Sequence, residues 1–388
     1  MKIFITDGFW RKSLAAVRSL GRRGAEVTVG DSCMLAPSFF SRFCSRRVLY
    51  PSPLARPDEF IAYILAALKK TAYQCLLPME EETLLLICRH KDEISKLTGL
   101  LIPEYEKLVF IRDKANMINW ALKNKIPCPK TYFVKKLNDI DGIAAEADFP
   151  VVIKPRIGSG SRGIRYVKCR EELLSVYKEV HENFSFPLIQ EYIPPGGGAF
   201  CLSALFSTDS ELKAVFIHKR LREYPITGGP STLRESVYHD EIKTLGTKIL
   251  NLLSWIGVAS VEFKIDPRDN IPKLMEINPR FWGSLALSIY AGVDFPHLIC
   301  RLIAGEDFEP VQEYQIGKRA RWMLPGDMMH FFAMIRRGSI PEGFFNFFDR
   351  NTTYDYFSLD DPLPVLGQIL SLSTLFYEND VKRLLQKR

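Results

Sequence analysis

The eight cysteines of this 388-residue chain (33, 44, 75, 88, 128, 169, 201 and 300) include no CxxC pair, and most sit in apolar runs such as "QCLLP" and "LICRH". This excludes a disulfide scaffold and the common zinc modules, and predicts buried, reduced thiols in a cytoplasmic protein. No uninterrupted apolar run approaches the roughly 18 residues that span a bilayer. The N-terminus "MKIFITDGFWRKS" turns polar at Thr6, so no secretory signal is expected. The six histidines show neither metal-ligand nor triad spacing. Neither sign of charge dominates: 52 basic residues against 45 acidic ones leave +7, spread along the chain. That balance suits anionic small molecules at least as well as nucleic acid. Internal repeats and low-complexity segments are also missing.

What is present is enough apolar mass, 47% of residues, for two or three domains with cores. Residues 1–107 read as a small α/β domain. "KIFIT" is a strand, "RKSLAAVRSLGRRG" a helix with Leu14, Val17 and Leu20 on one face and Gly21 and Gly24 as its stop, and "AEVTVGD" a second strand. This order implies a right-handed parallel crossover, with ligands expected at the strand ends near Asp7, Gly8 and Asp31. A dinucleotide site would want GxGxxG at the first turn, and "TDGFWRKS" lacks it. The run Glu80 to Glu82 reads as acids gathered at a helix N-terminus.

"FPVVIKPRIGSGSRGIRYV" is an apolar strand ending at Lys154, a loop with Gly158, Ser159, Gly160, Ser161 and Gly163, and a second strand. The glycines let backbone amides turn toward an anion, and Arg156, Arg162 and Arg165 add charge, so the loop reads as a flap over phosphates. It is not a Walker A motif, because Lys154 precedes the glycines and no helix follows. "FPLIQEYIPPGGG" carries a strand to Gln190, Glu191, Tyr192 and Ile193, an edge able to offer backbone groups to a purine.

The strongest signal is "ASVEFKID" followed by the turn "PRDN" and then "IPKLMEINPR". Two strands joined in this way form an antiparallel hairpin. Period-two geometry puts Glu276, Asn278 and Arg280 on one face, and pairing across the turn can bring Glu262 beside Glu276. Two carboxylates and an amide oxygen are hard ligands suited to Mg²⁺.

These segments together resemble the ATP-grasp superfamily, over roughly Leu108 to Gly305. The resemblance implies an ATP-grasp fold of two α+β lobes, about 108–186 and 187–305. Before it stands an α/β, Rossmann-like pre-ATP-grasp domain, and after it a mainly helical appendage over 306–388. It implies ATP and Mg²⁺ as cofactors, with Mn²⁺ as the alternative metal. Lys114 and Lys154 would contact phosphates under the 158–163 loop, and Gln190 to Ile193 would face adenine. Glu262, Glu276 and Asn278 would hold the metal, and Arg280 would steady the transferred phosphate. Arg220, in "VFIHKRLREYPITGGPSTLRES", matches a basic residue that meets ATP or the carboxylate. The basic residues of that segment, Lys219, Arg220, Arg222 and Arg234, are best explained as a group by an anionic substrate.

The implied chemistry is ligation of a carboxylate to an amine through an acyl phosphate. Alternatives are a thiol or ammonia acceptor, or a non-catalytic nucleotide binder. Expected partners are small carboxylates and amines, with no nucleic acid and no membrane contact; a homodimer stays open. The chain departs from the D-alanine ligases in having no acidic residue after the hinge to hold a ribose. It is also too short for a whole carbamoyl-phosphate synthetase, and ammonia channelling and biotin carboxylation are not expected.

Overall fold

The structure is a computed structural model and describes residues 1–158 and 163–374. The first unit runs β1 (Lys2–Ile5), α1 (Arg11–Arg22), β2 (Glu26–Asp31), β3 (Arg46–Leu49), α2 (Pro57–Lys70), β4 (Cys75–Leu77), α3 (Glu81–Arg89) and α4 (Lys91–Ile94). Its strands form a parallel sheet in the order β3-β2-β1-β4. The expected face of α1, Leu14, Val17 and Leu20, is buried. The helix passes through Gly21, however, and ends only before Gly24, whose φ of +80° suits a residue without a Cβ. In α2, Pro57 opens the first turn, with Asp58 and Glu59 beside it, and Lys69 and Lys70 close the last, matching charge to the helix dipole.

The second unit holds α5 (Tyr105–Arg112), α6 (Lys114–Lys123), β5 (Thr131–Tyr132), α7 (Asp139–Glu146), β6 (Val151–Lys154), β7 (Arg165–Val167), α8 (Arg170–Asn183) and β8 (Leu188–Glu191). Its antiparallel sheet has the order β5-β8-β6-β7. The strands share a small core with α7 and α8 through Ile140, Val151, Ile153, Leu173, Tyr177 and Ile189.

The rest of the chain forms β9 (Ala199–Phe206), β10 (Leu212–Glu223), β11 (Ser231–Ser236), α9 (Asp240–Leu252), β12 (Gly257–Ile265), β13 (Pro272–Asn278), α10 (Leu285–Ala291), α11 (Phe295–Ile303), β14 (Arg319–Arg321), α12 (Met328–Ile335), β15 (Thr352–Tyr354) and α13 (Pro364–Thr374). Seven of these are strands of one sheet, ordered β13-β12-β9-β10-β11-β14-β15. Alternate residues go to opposite sides of such a sheet. Leu202, Ala204, Ile217 and Val261 therefore share a core with α9, while Leu205, Phe216 and Val258 meet α1, α10 and α11. The first unit is thus sewn to the large sheet by a continuous apolar layer.

The segment after 305 carries α12 and α13, and also gives β14 and β15 to the sheet edge. Buried ion pairs hold it there. Arg234, fully buried, grips Asp355 through both Nη atoms, Arg222 and Arg321 share Asp327, and Arg18 pairs with Asp361. Arg222 and Arg234, grouped from the sequence with an anionic substrate, are therefore engaged by Asp327 and Asp355 instead. Removing one member of such a pair leaves an uncompensated buried charge.

Candidate active site

β12 and β13 pair antiparallel with Glu262 opposite Glu276 and Ser260 opposite Asn278. The period-two expectation holds, and the three candidate metal-binding side chains point the same way. Asn278 Nδ2 lies 3.4 Å from Glu262 Oε1. Both carboxylates have cationic partners: Arg220 from β10 forms an ion pair with Glu262, and Lys114 Nζ stands 3.5 Å from Glu276 Oε1. Burial pushes the Glu276 carboxyl up. Lys114 opposes this shift and Glu262 reinforces it. Two half-buried acids facing each other need positive charge between them. Among the described residues no group of three or more His, Cys, Asp or Glu side chains forms a ready cage. Two carboxylates and an amide oxygen still fit Mg²⁺, which normally completes its shell with phosphate oxygens and water.

Lys114 opens α6, which is capped by Asp113, whose carboxylate accepts from the Ala115 N–H at 2.8 Å. Asp113 also holds Arg156, the second residue after β6, at 2.5 Å. Lys114 Nζ donates to the Gly158 carbonyl at 2.7 Å. One helix cap thus ties the start of the Gly-rich loop to the Glu276 carboxylate. Gly163, at the other end of that loop, has φ +70°, and a Cβ there would sit 2.5 Å from the Phe184 ring and 2.7 Å from Pro155. Ser159, Gly160 and Ser161 lie outside the described residues.

Lys154 ends β6 and donates to Gln190 Oε1 at 2.6 Å, and Gln190 Nε2 donates to Thr131 Oγ1 at 2.9 Å. Burial holds the Lys154 ammonium down to about 7. Lys264 and Lys114 add to the effect, and Glu276 and Glu262 oppose it. Glu191 is used internally, its carboxylate accepting from the Lys130 N–H at 2.9 Å and pairing with Arg268 at 3.1 Å. Tyr192 packs edge-on against Tyr166, and Ile193 is buried.

Arg280 leaves β13 toward the first unit. Its Nη1 donates to the Phe281 carbonyl at 2.9 Å, and its Nε stands 3.7 Å from Glu80 Oε2. Glu81 and Glu82 do lie in the first turn of α3, as expected, but both also pair with Arg112, two residues before Lys114. The acidic run therefore steadies two sides of the site. Sequence reading also passed over Lys12, which pairs with Glu80; Glu223, which stands 3.8 Å from Arg220; and Lys264, whose charge acts on Lys154. Lys264 was legible, because it follows Glu262 by two on the same strand face. Asp7 and Asp31, expected at a ligand-facing sheet edge, are consumed internally. Asp7 accepts from Thr6, Thr83 and the Glu80 N–H, and Asp31 from the Phe9 and Cys33 N–H groups.

Comparison with known proteins agrees with this geometry. Residues 111–284 match the ATP-grasp domain family. The D-aspartate ligase of Enterococcus faecium is 24% identical over 214 residues, which is 50% of this chain and 50% of that protein. The chain thus aligns with half the length of that relative. Among solved structures, the biotin carboxylase domain of Hydrogenobacter thermophilus 2-oxoglutarate carboxylase, in complex with MgADP, ADP and bicarbonate, superposes with a TM-score of 0.66 at 16% identity. The match covers 82% of this chain and 73% of that one. N5-carboxyaminoimidazole synthetase from Staphylococcus aureus gives 0.63 at 17% identity, over 82% and 80%.

Proposed function

We propose that this chain, which carries an ATP-grasp domain, is an ATP-dependent ligase that activates a carboxylate as its acyl phosphate and joins it to an amine. The observation that carries the reading is the opposed pair Glu262 and Glu276, paired with Arg220 and Lys114, with Lys154 and Arg280 near enough to act on their charge. The relation to a D-aspartate ligase favours an amino-acid-like substrate. The free thiols favour a cytoplasmic setting.

In the first step a carboxylate oxygen bonds to the γ-phosphorus, the bond from that phosphorus to the β–γ bridging oxygen breaks, and ADP leaves. In the second the amine nitrogen bonds to the acyl carbon, the C–O bond to phosphate breaks, and the nitrogen gives up a proton. Negative charge grows on phosphoryl oxygens, where Lys114, Lys154 and Arg280 stabilise it electrostatically. Glu262, Glu276 and Asn278 would hold Mg²⁺, which when bound neutralises phosphate charge. Arg220, beside Glu262, would receive the carboxylate. Lys114 also holds the start of the Gly-rich segment at Gly158, close to the carboxylates.

The test is phosphate release from ATP and Mg²⁺ with pools of carboxylates, with and without amines. Release that needs both partners, and hydroxamate formation with hydroxylamine, is the expected result. No release with any pool would overturn the reading.

A further inference from the structure

We propose that Lys12 and Glu80, both from the first α/β unit, are positioning residues that orient the Arg280 guanidinium toward the transferred phosphoryl group. The inference rests on the ligase reading, and it assigns that unit a part in catalysis rather than in packing alone.

Lys12 lies in the first turn of α1 with a side chain only 2% exposed. A buried ammonium is stable only where its protons are satisfied. Its Nζ is 2.7 Å from Glu80 Oε1 and donates to the Phe281 carbonyl at 3.1 Å. Each of these acceptors is shared with Arg280. The same Phe281 carbonyl takes the Arg280 Nη1 donor at 2.9 Å, and the other oxygen of Glu80 faces Arg280 Nε at 3.7 Å. One carboxylate and one carbonyl therefore serve two cations. The Arg280 Nε is buried without a hydrogen-bond partner among the described residues.

Glu80 is itself fixed. Its N–H donates to Asp7 at 2.9 Å, and Asp7 is locked by the Thr6 and Thr83 hydroxyls at 2.6 and 2.7 Å. The chain of contacts runs from the end of β1 through Glu80 and Lys12 to the guanidinium. Lys12 alone could serve as mere packing, but packing does not require it to share both acceptors with the phosphate-facing arginine. The Lys12 ammonium is also held down to about 8, by burial first and by Arg280 next, while Glu80 and Asp7 oppose the shift.

The test needs no knowledge of the substrate. Full-length wild type, Lys12→Met, Lys12→Arg and Glu80→Gln are titrated with Mg·ADP alone, and then with Mg·ADP plus fluoroaluminate, a mimic of the phosphoryl group in transfer. All four should bind Mg·ADP within about twofold, while Lys12→Met and Glu80→Gln should lose about tenfold or more in fluoroaluminate trapping, and Lys12→Arg should recover most of it. Trapping equal to wild type in both variants overturns the proposal. So does a parallel loss of Mg·ADP binding, which marks a structural role only. If Lys12→Met does not fold, the near-isosteric Glu80→Gln carries the same comparison. Wild type that binds no Mg·ADP refutes the ligase reading itself. Wild type that binds it without trapping refutes only the role given to Arg280 and its supports.

Discussion

Glu262 and Glu276 stand directly opposite each other on adjacent strands, and each leans on a cation from elsewhere in the fold, Arg220 and Lys114. Two like charges held close destabilise each other, and the protein's own cations relieve this; a metal held by the two carboxylates, as proposed above, would exchange with those cations.

Replacement of Glu276 by Gln should remove a ligand and an electrostatic conflict together. We expect phosphate release to fall by about two to three orders of magnitude, the scale seen when a major electrostatic contact at a reacting group is lost. The melting temperature should stay level or rise, because the burial and like-charge penalty on Glu276 disappears. Unchanged turnover would sink the metal assignment.

Arg220→Met should act in two opposite directions. With its cationic partner gone, Glu262 should bind Mn²⁺ alone more tightly, by about fivefold, equivalent to roughly 1 kcal/mol for a partly exposed pair. Turnover should nevertheless fall, since Arg220 is the group proposed to meet the carboxylate. Paramagnetic relaxation by Mn²⁺ measures the first effect and phosphate release the second; weaker Mn²⁺ binding would contradict the exchange picture.

The Lys154 ammonium, held near 7, predicts a pH signature. Its folded value lies below the unfolded one, so between about 7 and 10.5 the unfolded chain carries more protons. The contribution of this group to stability therefore rises with pH across that window, and its penalty is complete below 7. Bound polyphosphate should restore the charge, so ADP binding at pH 8 should take up protons. Calorimetry in buffers of different ionisation enthalpy reads this, and the uptake should shrink in Lys154→Arg.

The hairpin of β12 and β13 was legible because strand alternation is local: the turn "PRDN" joins the two strands, although a register shift between Glu262 and Phe263, which the sequence does not mark, is what sets Glu262 opposite Glu276. Lys154 was legible as the end of an apolar strand for the same reason, since β6 closes on it. Lys12 carries no such mark. It reads as one more polar residue in the first turn of an amphipathic helix, and only the packing of α1 against the 280–283 segment gives it a role. Arg222 and Arg234 failed in the opposite way. Their charge looked ligand-directed until distant Asp327 and Asp355 were brought to them. Alternation reveals which face a side chain takes, but not what the rest of the chain lays on it.

Gly163 offers a test of the loop that leaves the charges alone. A Cβ at φ +70° is strained, and here it would also press on Phe184 and Pro155. Gly163→Val should weaken ATP binding severalfold while the melting temperature changes little, because the strain falls on the edge of the small lobe. Equal ATP affinity, measured by calorimetry, would show that the loop end does not govern closure.

Arg234 and Asp355 tie the last part of the chain to the large sheet, and both are all but fully buried, joined through Arg234 Nη1 at 2.9 Å and through a second, shorter contact. Asp355→Asn leaves a guanidinium without its counter-charge, and should destabilise the fold by about 3–5 kcal/mol, the range for breaking one side of a buried pair. Replacing both residues, as Arg234→Met with Asp355→Leu, should cost clearly less, since no charge is stranded. Because Arg11 also lies 3.6 Å from Asp355 and donates to the Gly283 carbonyl at 2.7 Å, the single change should disturb the loop that follows Arg280 as well. A lower melting temperature together with a loss of fluoroaluminate trapping, partly recovered in the double variant, is the expected pattern. A single variant as stable as wild type would mean that the pair contributes nothing to holding β15 at the sheet edge.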